Sequence, residues 1–257
     1  MGDFLTDLFS LDGRSAVVTG ATSGIGRAIA GALGRAGAQV VALGRRTDAL
    51  TAVVAELRAA GGAAEGISVD LADRAELRRV AERAAEPFGE PDILVTAAGV
   101  NLRPPFGDLT DQQWDQTMAV NLDAPYLLGR RYGPAMAARG WGRIVNLASQ
   151  QTIRAFGNSG AYGVSKAGIA ALTRSQAEAW SKHGVCCNAI APGFVRTPMT
   201  AAVFEDPGRA EALAARTMIG RNGELSDFVG AAVFLAGPSA AYITGQTLFV
   251  DGGFSAT

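Results

Sequence analysis

The chain has 257 residues, 48% hydrophobic and 18% charged, with a formal net charge of -1. That balance offers no basic face to nucleic acid or to an anionic membrane, and no apolar run of about 18 residues is present to span a bilayer. The two cysteines, Cys186 and Cys187, are adjacent, point to opposite faces of a strand and so do not bridge each other, which fits a reducing compartment.

The opening MGDFLTDLFSLDGR lacks a basic start and a long apolar core, so it does not read as a signal peptide. Met1-Gly2 with Thr6 fits the bare myristoylation pattern, a signature short enough to recur by chance. A cytoplasmic location is expected. Strands are predicted at Ala16–Thr19, Gln39–Leu43, Ala64–Val69, Ile93–Thr96, Arg143–Leu147, Val185–Ile190 and Thr247–Val250. Between them, helical spacing covers about Gly24–Ala36, Asp48–Ala60, Arg74–Ala85, Asp111–Ala138, Tyr162–His183 and Ser226–Leu235. The strands are apolar on both faces, as in a parallel sheet covered by helices on each side. This alternation predicts a doubly wound α/β fold without repeat or linker, one domain over residues 1–257. Residues 194–222 fit no element and are long enough for a lid over a site.

The first strand passes into the first helix through Val17-Val18-Thr19-Gly20-Ala21-Thr22-Ser23-Gly24-Ile25-Gly26-Arg27. A helix start presents unpaired N–H groups and the positive end of the macrodipole, which suits a pyrophosphate where no Cβ holds it away. Gly20 turns the chain, Gly24 admits the phosphates and Gly26 lets the helix pack on the strand. The spacing G-x3-G-x-G differs from G-x-G-x-x-G, and a plain βα bend has similar glycines. No Gly-Lys-Ser/Thr follows, which excludes a nucleoside-triphosphatase loop.

A second constellation, SGAYGVSKAGIAALTR, puts Tyr162 and Lys166 four residues apart on one helix face. Tyrosine titrates at about pH 10, and a nearby ammonium lowers that value toward useful acid–base work. An ordinary amphipathic helix with a solvated lysine has the same spacing. Ser149 ends the fifth predicted strand, at the carboxyl edge where ligands of α/β sheets gather.

From about Leu11 to Gly253 the chain resembles the short-chain dehydrogenase/reductase family. Thr19-Gly20-x3-Gly24-x-Gly26 matches its cofactor loop, and Asn121, Ser149, Tyr162 and Lys166 match its catalytic four. Asp70 in SVDLAD matches the position that touches the adenine. Pro192, Gly193 and Thr197 in APGFVRT match the Pro-Gly turn and the threonine that meets the nicotinamide amide. The resemblance implies a Rossmann-type seven-stranded parallel sheet, and cofactor contacts from Thr22, Ser23, Ile25, Leu71, Ala98, Gly99 and Val195 as well. It implies that Tyr162 exchanges the proton of the carbinol or carbonyl oxygen and that Ser149 hydrogen-bonds that oxygen. Lys166 would lower the Tyr162 pKa and hold the nicotinamide ribose, and Asn121 would position a water linking Lys166 to solvent. No metal is implied; His183, followed by Gly184, reads as a cation at a helix C-terminus. Homotetramers or homodimers through residues 111–138, 160–183 and the last strand are implied too. One departure stands out: the family's Asn-Asn-Ala-Gly is here Thr96-Ala97-Ala98-Gly99, so Ala97 is expected to cost some local anchoring.

The second strand ends in Gly44-Arg45-Arg46, with no acid to accept a ribose 2′-OH. A guanidinium binds a 2′-phosphate through two hydrogen bonds, so NADP(H) is expected in preference to NAD. Two surface arginines opening a helix are the plainer alternative. The walls expected around the substrate carry Asn101, Arg103, Gln150, Gln151, Arg154 and Asn158, polar enough for buried hydroxyls and a carboxylate. Of these, Arg103, Gln151, Arg154 and Asn158 are the candidate substrate contacts. Arg103, DPGRAEAL and RTMIGRNGE also resemble the gluconate 5-dehydrogenase branch, although Asn222 stands where that branch often has an aromatic. The small-molecule substrate is expected to be a sugar acid or polyol, with a 3-oxoacyl thioester or a broad range of ketones as alternatives. A sensor that binds the dinucleotide without turning it over remains open; it would have no need of Ser149.

Overall fold

The structure is a computed structural model that describes residues 4–256. A short helix unforeseen in the sequence, α1 (Phe4–Phe9), precedes β1 (Ser15–Thr19), α2 (Gly24–Arg35), β2 (Gln39–Gly44), α3 (Thr47–Ala59), β3 (Ala64–Ser68), α4 (Arg74–Arg83) and β4 (Ile93–Thr96). The second half comprises α5 (Asp111–Met118), α6 (Ala124–Ala138), β5 (Gly142–Leu147), α7 (Gly160–Trp180), β6 (Val185–Pro192), α8 (Ala201–Phe204), α9 (Pro207–Ala214), α10 (Ser226–Ala236) and β7 (Thr247–Val250). The seven strands form one sheet of order β3-β2-β1-β4-β5-β6-β7, parallel throughout. Its order reverses between β1 and β4, which opens a crevice at their carboxyl ends.

Alternate residues of each strand feed opposite layers. Val17 packs with Leu77 of α4 and Leu128 of α6, whereas Val18 packs with Ile29 of α2 and Phe228 of α10. This is why the strands read apolar on both faces.

Two predicted elements need correction. The helix expected over Asp111–Ala138 is broken by a π-turn at Ala119–Asp123. The extra residue aims the Asn121 amide at the chain after β4, where it accepts from Val100 N at 2.8 Å and donates to Val100 O at 2.9 Å. Residues 194–222 are built rather than open: Val195 bridges to Gly223, and α8 and α9 lie between them. Among the described residues no helix is long and apolar enough to cross a membrane.

Candidate active site

A cleft of about 570 Å³ opens at the β1/β4 switch point. Gly20, Thr22, Ser23, Gly24, Ile25 and Gly26 line it, with Arg45, Arg46, Asp70, Leu71, Ala98, Gly99 and Thr197. The three glycines are needed for different reasons. Gly20 has φ 67°, and a Cβ there would come within 2.8 Å of Ala98 N. A Cβ on Gly26 would sit 2.4 Å from Gly20 O, and one on Gly24, at φ 54°, would meet Thr197 at 3.3 Å. Ser23, the residue before α2, makes no side-chain cap, so the first N–H groups of α2 remain available to an anion. This donor-lined, glycine-shaped cradle fits a dinucleotide pyrophosphate.

The expected loss of anchoring at Ala97 is made good by its neighbours. Thr96 donates to Asn146 Oδ1 on β5 at 2.8 Å, and Ala98 N donates to Thr19 Oγ1 at 3.1 Å. Ala97 instead packs on α2, where its Cβ would be 3.1 Å from a Cβ on Gly26.

Behind the cleft floor lie the four acid–base candidates, all buried: Asn121, Ser149, Tyr162 and Lys166. Ser149 extends from the end of β5, Asn121 from the π-turn, and Tyr162 and Lys166 from α7. Lys166 Nζ is directly behind Gly99, 3.8 Å from where a Cβ would be, and donates to Leu147 O at 2.6 Å. Burial without a carboxylate partner pushes its pKa down to about 8. Burial pushes the Tyr162 phenol up, while the hydrogen bond with Ser149 and the charge of Arg103 pull it down. Lys166 Nζ also lies 5.7 Å from the centre of the Tyr162 ring, so Arg103 and Lys166 are both placed to act on the phenol. Asn121 is fully engaged, since its Nδ2 also donates to Ser165 Oγ at 3.1 Å.

Arg103 is half-buried, stacks over Phe156 at 5.4 Å and donates to Gly157 O at 2.7 Å. The other candidate substrate residues are placed differently. Gln151 accepts from Ser159 Oγ. Asn158 is exposed in a left-handed turn at φ 55°. Arg154 turns away and donates to Ser255 O at 3.0 Å, because the C-terminal carbonyls offer it a partner.

Pro192, Gly193 and Val195 do not line the cleft. Gly193 packs against Asp251, with only 2.9 Å left for a Cβ, and Val195 O accepts from Thr200 Oγ1. Thr200 Oγ1 also accepts from Thr197 N at 3.0 Å, so Val195 supports Thr197 through Thr200. Gly44 and Met199 line the cleft without having been singled out in the sequence. Gly44 had a signal: a glycine closing a strand marks a close approach, here by Thr22, whose Cγ2 would be 2.6 Å from a Cβ. Met199 had none.

A switch-point cradle for a dinucleotide, backed by a buried Ser, Tyr and Lys, defines a nucleotide-dependent oxidoreductase of the doubly wound class. Residues 20–255 match the family model described as enoyl-(acyl carrier protein) reductase. The D-threitol dehydrogenase of Mycolicibacterium smegmatis is 39% identical over 247 residues, which cover 96% of this chain and 95% of that enzyme. The gluconate 5-dehydrogenase of Gluconobacter oxydans is 36% identical over 249 residues, 97% of each chain. The crystal structure of a gluconate 5-dehydrogenase from Burkholderia cenocepacia, in complex with NADP and tartrate, superposes with a TM-score of 0.94 at 34% identity, covering 98% of this chain and 99% of that one. The chain belongs to the short-chain dehydrogenase/reductase family.

Proposed function

We propose that the chain interconverts a secondary alcohol and a ketone on a sugar acid or polyol, with NADP(H) as cofactor. The observation that carries this reading is the burial together of Ser149, Tyr162 and Lys166 behind the cleft, with Ser149 hydrogen-bonded to the phenol and Lys166 Nζ 5.7 Å from its ring centre. NADP supplies the hydride acceptor, and NADPH the donor, when bound. Gly24 and the start of α2 would hold its pyrophosphate, Asp70 its adenine, Thr197 its nicotinamide amide, and Arg45 or Arg46 its 2′-phosphate. In reduction Tyr162 donates a proton to the substrate oxygen, and Ser149 hydrogen-bonds that oxygen as charge develops on it. In oxidation the same phenol, deprotonated, takes the proton back. Lys166 would hold the ribose, and Arg103 would face the substrate from the loop after β4.

Relatives that act on threitol and gluconate support the substrate class, and the tartrate complex shows that a hydroxy acid binds a protein of the same fold. Assembly into a homodimer or homotetramer fits the open edge of β7, where Leu248 is 40% exposed. A cytoplasmic location fits the reduced, buried cysteines. NADPH oxidation with 5-ketogluconate and with an acetoacetyl thioester tests the reading. Turnover of the ketogluconate supports it; turnover of the thioester alone replaces it with acyl reduction. Tyr162→Phe should abolish turnover and keep NADPH binding, whereas a sensor would lose nothing.

A further inference from the structure

The C-terminal turn carries an aromatic side chain that is packed away from solvent. Phe254 is 2% exposed and belongs to a small cluster with Phe194, Val203 of α8 and Leu213 of α9. Phe254 packs on Phe194 at 5.8 Å, Phe194 on Phe156 at 5.1 Å, and Phe156 carries the Arg103 guanidinium at 5.4 Å. Arg103 in turn acts on the Tyr162 phenol. A continuous stack therefore runs from Phe254 to the Arg103 guanidinium.

The turn that delivers Phe254 is firmly made. Gly252 and Gly253 adopt φ 63° and 82°, which side chains other than glycine resist. Asp251 accepts from Gly253 N at 3.0 Å and from Ser255 N at 2.9 Å. Two segments reach over to it. Arg154, from the loop after β5, donates to Ser255 O at 3.0 Å, and Arg216, just after α9, covers the Phe254 ring at 4.3 Å. Ile219 N also donates to Gly252 O at 3.2 Å. Helices of four and eight residues, as α8 and α9 are, do not persist without such packing.

We infer that Phe254 and Arg154 form a latch that fastens α8 and α9 of the 194–222 segment and the Phe156 platform of Arg103, so both are positioning residues for the substrate. The inference rests on the proposed turnover only for its kinetic readout. Phe254→Ala should speed tryptic cleavage at Arg209 and Arg216, leave the NADPH dissociation constant unchanged, and raise KM for the ketose acid roughly ten- to hundredfold with a smaller change in kcat. Phe254→Leu should restore most of both. Arg154→Ala should act in the same direction, and the double variant should be no worse than the poorer single one.

Unchanged tryptic cleavage in Phe254→Ala would overturn the latch, as would a parallel loss of NADPH affinity. Additive effects of the two substitutions would also overturn it, returning Arg154 to the substrate as an independent contact. Should no carbonyl compound be reduced by the wild-type protein, cleavage rates and cofactor binding still decide the latch, and the failure belongs to the functional reading. Should Phe254→Ala fail to fold, Phe254→Leu and Arg154→Ala carry the same comparisons.

Discussion

Lys166 Nζ, one turn along α7, lies 5.7 Å from the centre of the Tyr162 ring and donates to Leu147 O at 2.6 Å, while the charge of Arg103 also pulls the phenol pKa down. The phenol therefore depends in part on a residue from the loop after β4, about sixty positions before it. Arg103→Met should leave burial unopposed by that charge, so the Tyr162 pKa rises further. Alcohol oxidation needs the deprotonated phenol, so the rising limb of its pH profile should move to higher pH. Activity at neutral pH should fall by up to about tenfold for each unit by which the phenol pKa rises. Arg103→Lys should keep the position of the limb while raising KM, because an ammonium lacks the planar fork. An unmoved limb in Arg103→Met would sink the electrostatic part of this account.

The buried Lys166 sets a second pH dependence. Its pKa in the folded protein is about 8, below the ordinary lysine value, through burial. Below pH 8 the folded protein carries the ammonium that the ribose requires. Above it the folded state has released the proton while the unfolded chain still holds one, so this residue makes stability rise with pH up to about 10.4. NADPH affinity should run the other way, falling by at most about tenfold per pH unit above 8, since binding must first restore the proton. Fluorescence titrations from pH 6 to about 10 check this. A Lys166→Met protein should bind more weakly and show no such slope.

Much of this was legible because it is local. The glycines of the first βα turn, the Tyr-x-x-x-Lys pair and the alternation of apolar strands with helices each report their structure within a dozen residues. What escaped the sequence depends on contacts across the chain. The π-turn exists because Asn121 must reach Val100, and nothing in DQQWDQTMAVNLDAP shows the extra residue. Arg154 has the composition of a substrate contact, yet a carbonyl a hundred residues later holds it. Met199 enters the cleft through tertiary approach alone.

The exchange of Asn-Asn for Thr96-Ala97 makes a prediction about stability. Thr96 donates to Asn146 Oδ1, and Asn146 Nδ2 donates to Thr173 Oγ1 and to Gln176 Oε1, both at 2.9 Å. The network is buried and joins β4, β5 and α7. Thr96→Val keeps the shape but leaves an acceptor of Asn146 without its donor, at a cost of about 1–3 kcal/mol. For a chain of this size that lowers Tm by roughly 2–4 °C per kcal/mol. Thr96→Ser should recover most of the loss, and calorimetry of the three proteins distinguishes this from a simple packing defect.

Arg45 and Arg46 set the last expectation, a trade between stability and binding. Both are exposed on the cleft wall, and neither guanidinium has a hydrogen-bond or ion-pair partner among the described residues. They also stand at the start of α3, where a cation meets the positive end of the helix dipole and costs up to about 1 kcal/mol. Nothing among the described residues rewards that placement; a 2′-phosphate would. Replacing both with alanine should therefore leave Tm unchanged or slightly raised. NADPH affinity should fall roughly 10- to 100-fold, by the loss of a charge-assisted hydrogen bond of about 1.5–3 kcal/mol, with NADH affinity unaffected. Replacing both with lysine should retain part of the preference, since charge survives but the two-pronged geometry does not. Isothermal titration of both cofactors against the three proteins separates these outcomes, and equal losses for NADH and NADPH would remove the arginines from any role in telling the two apart.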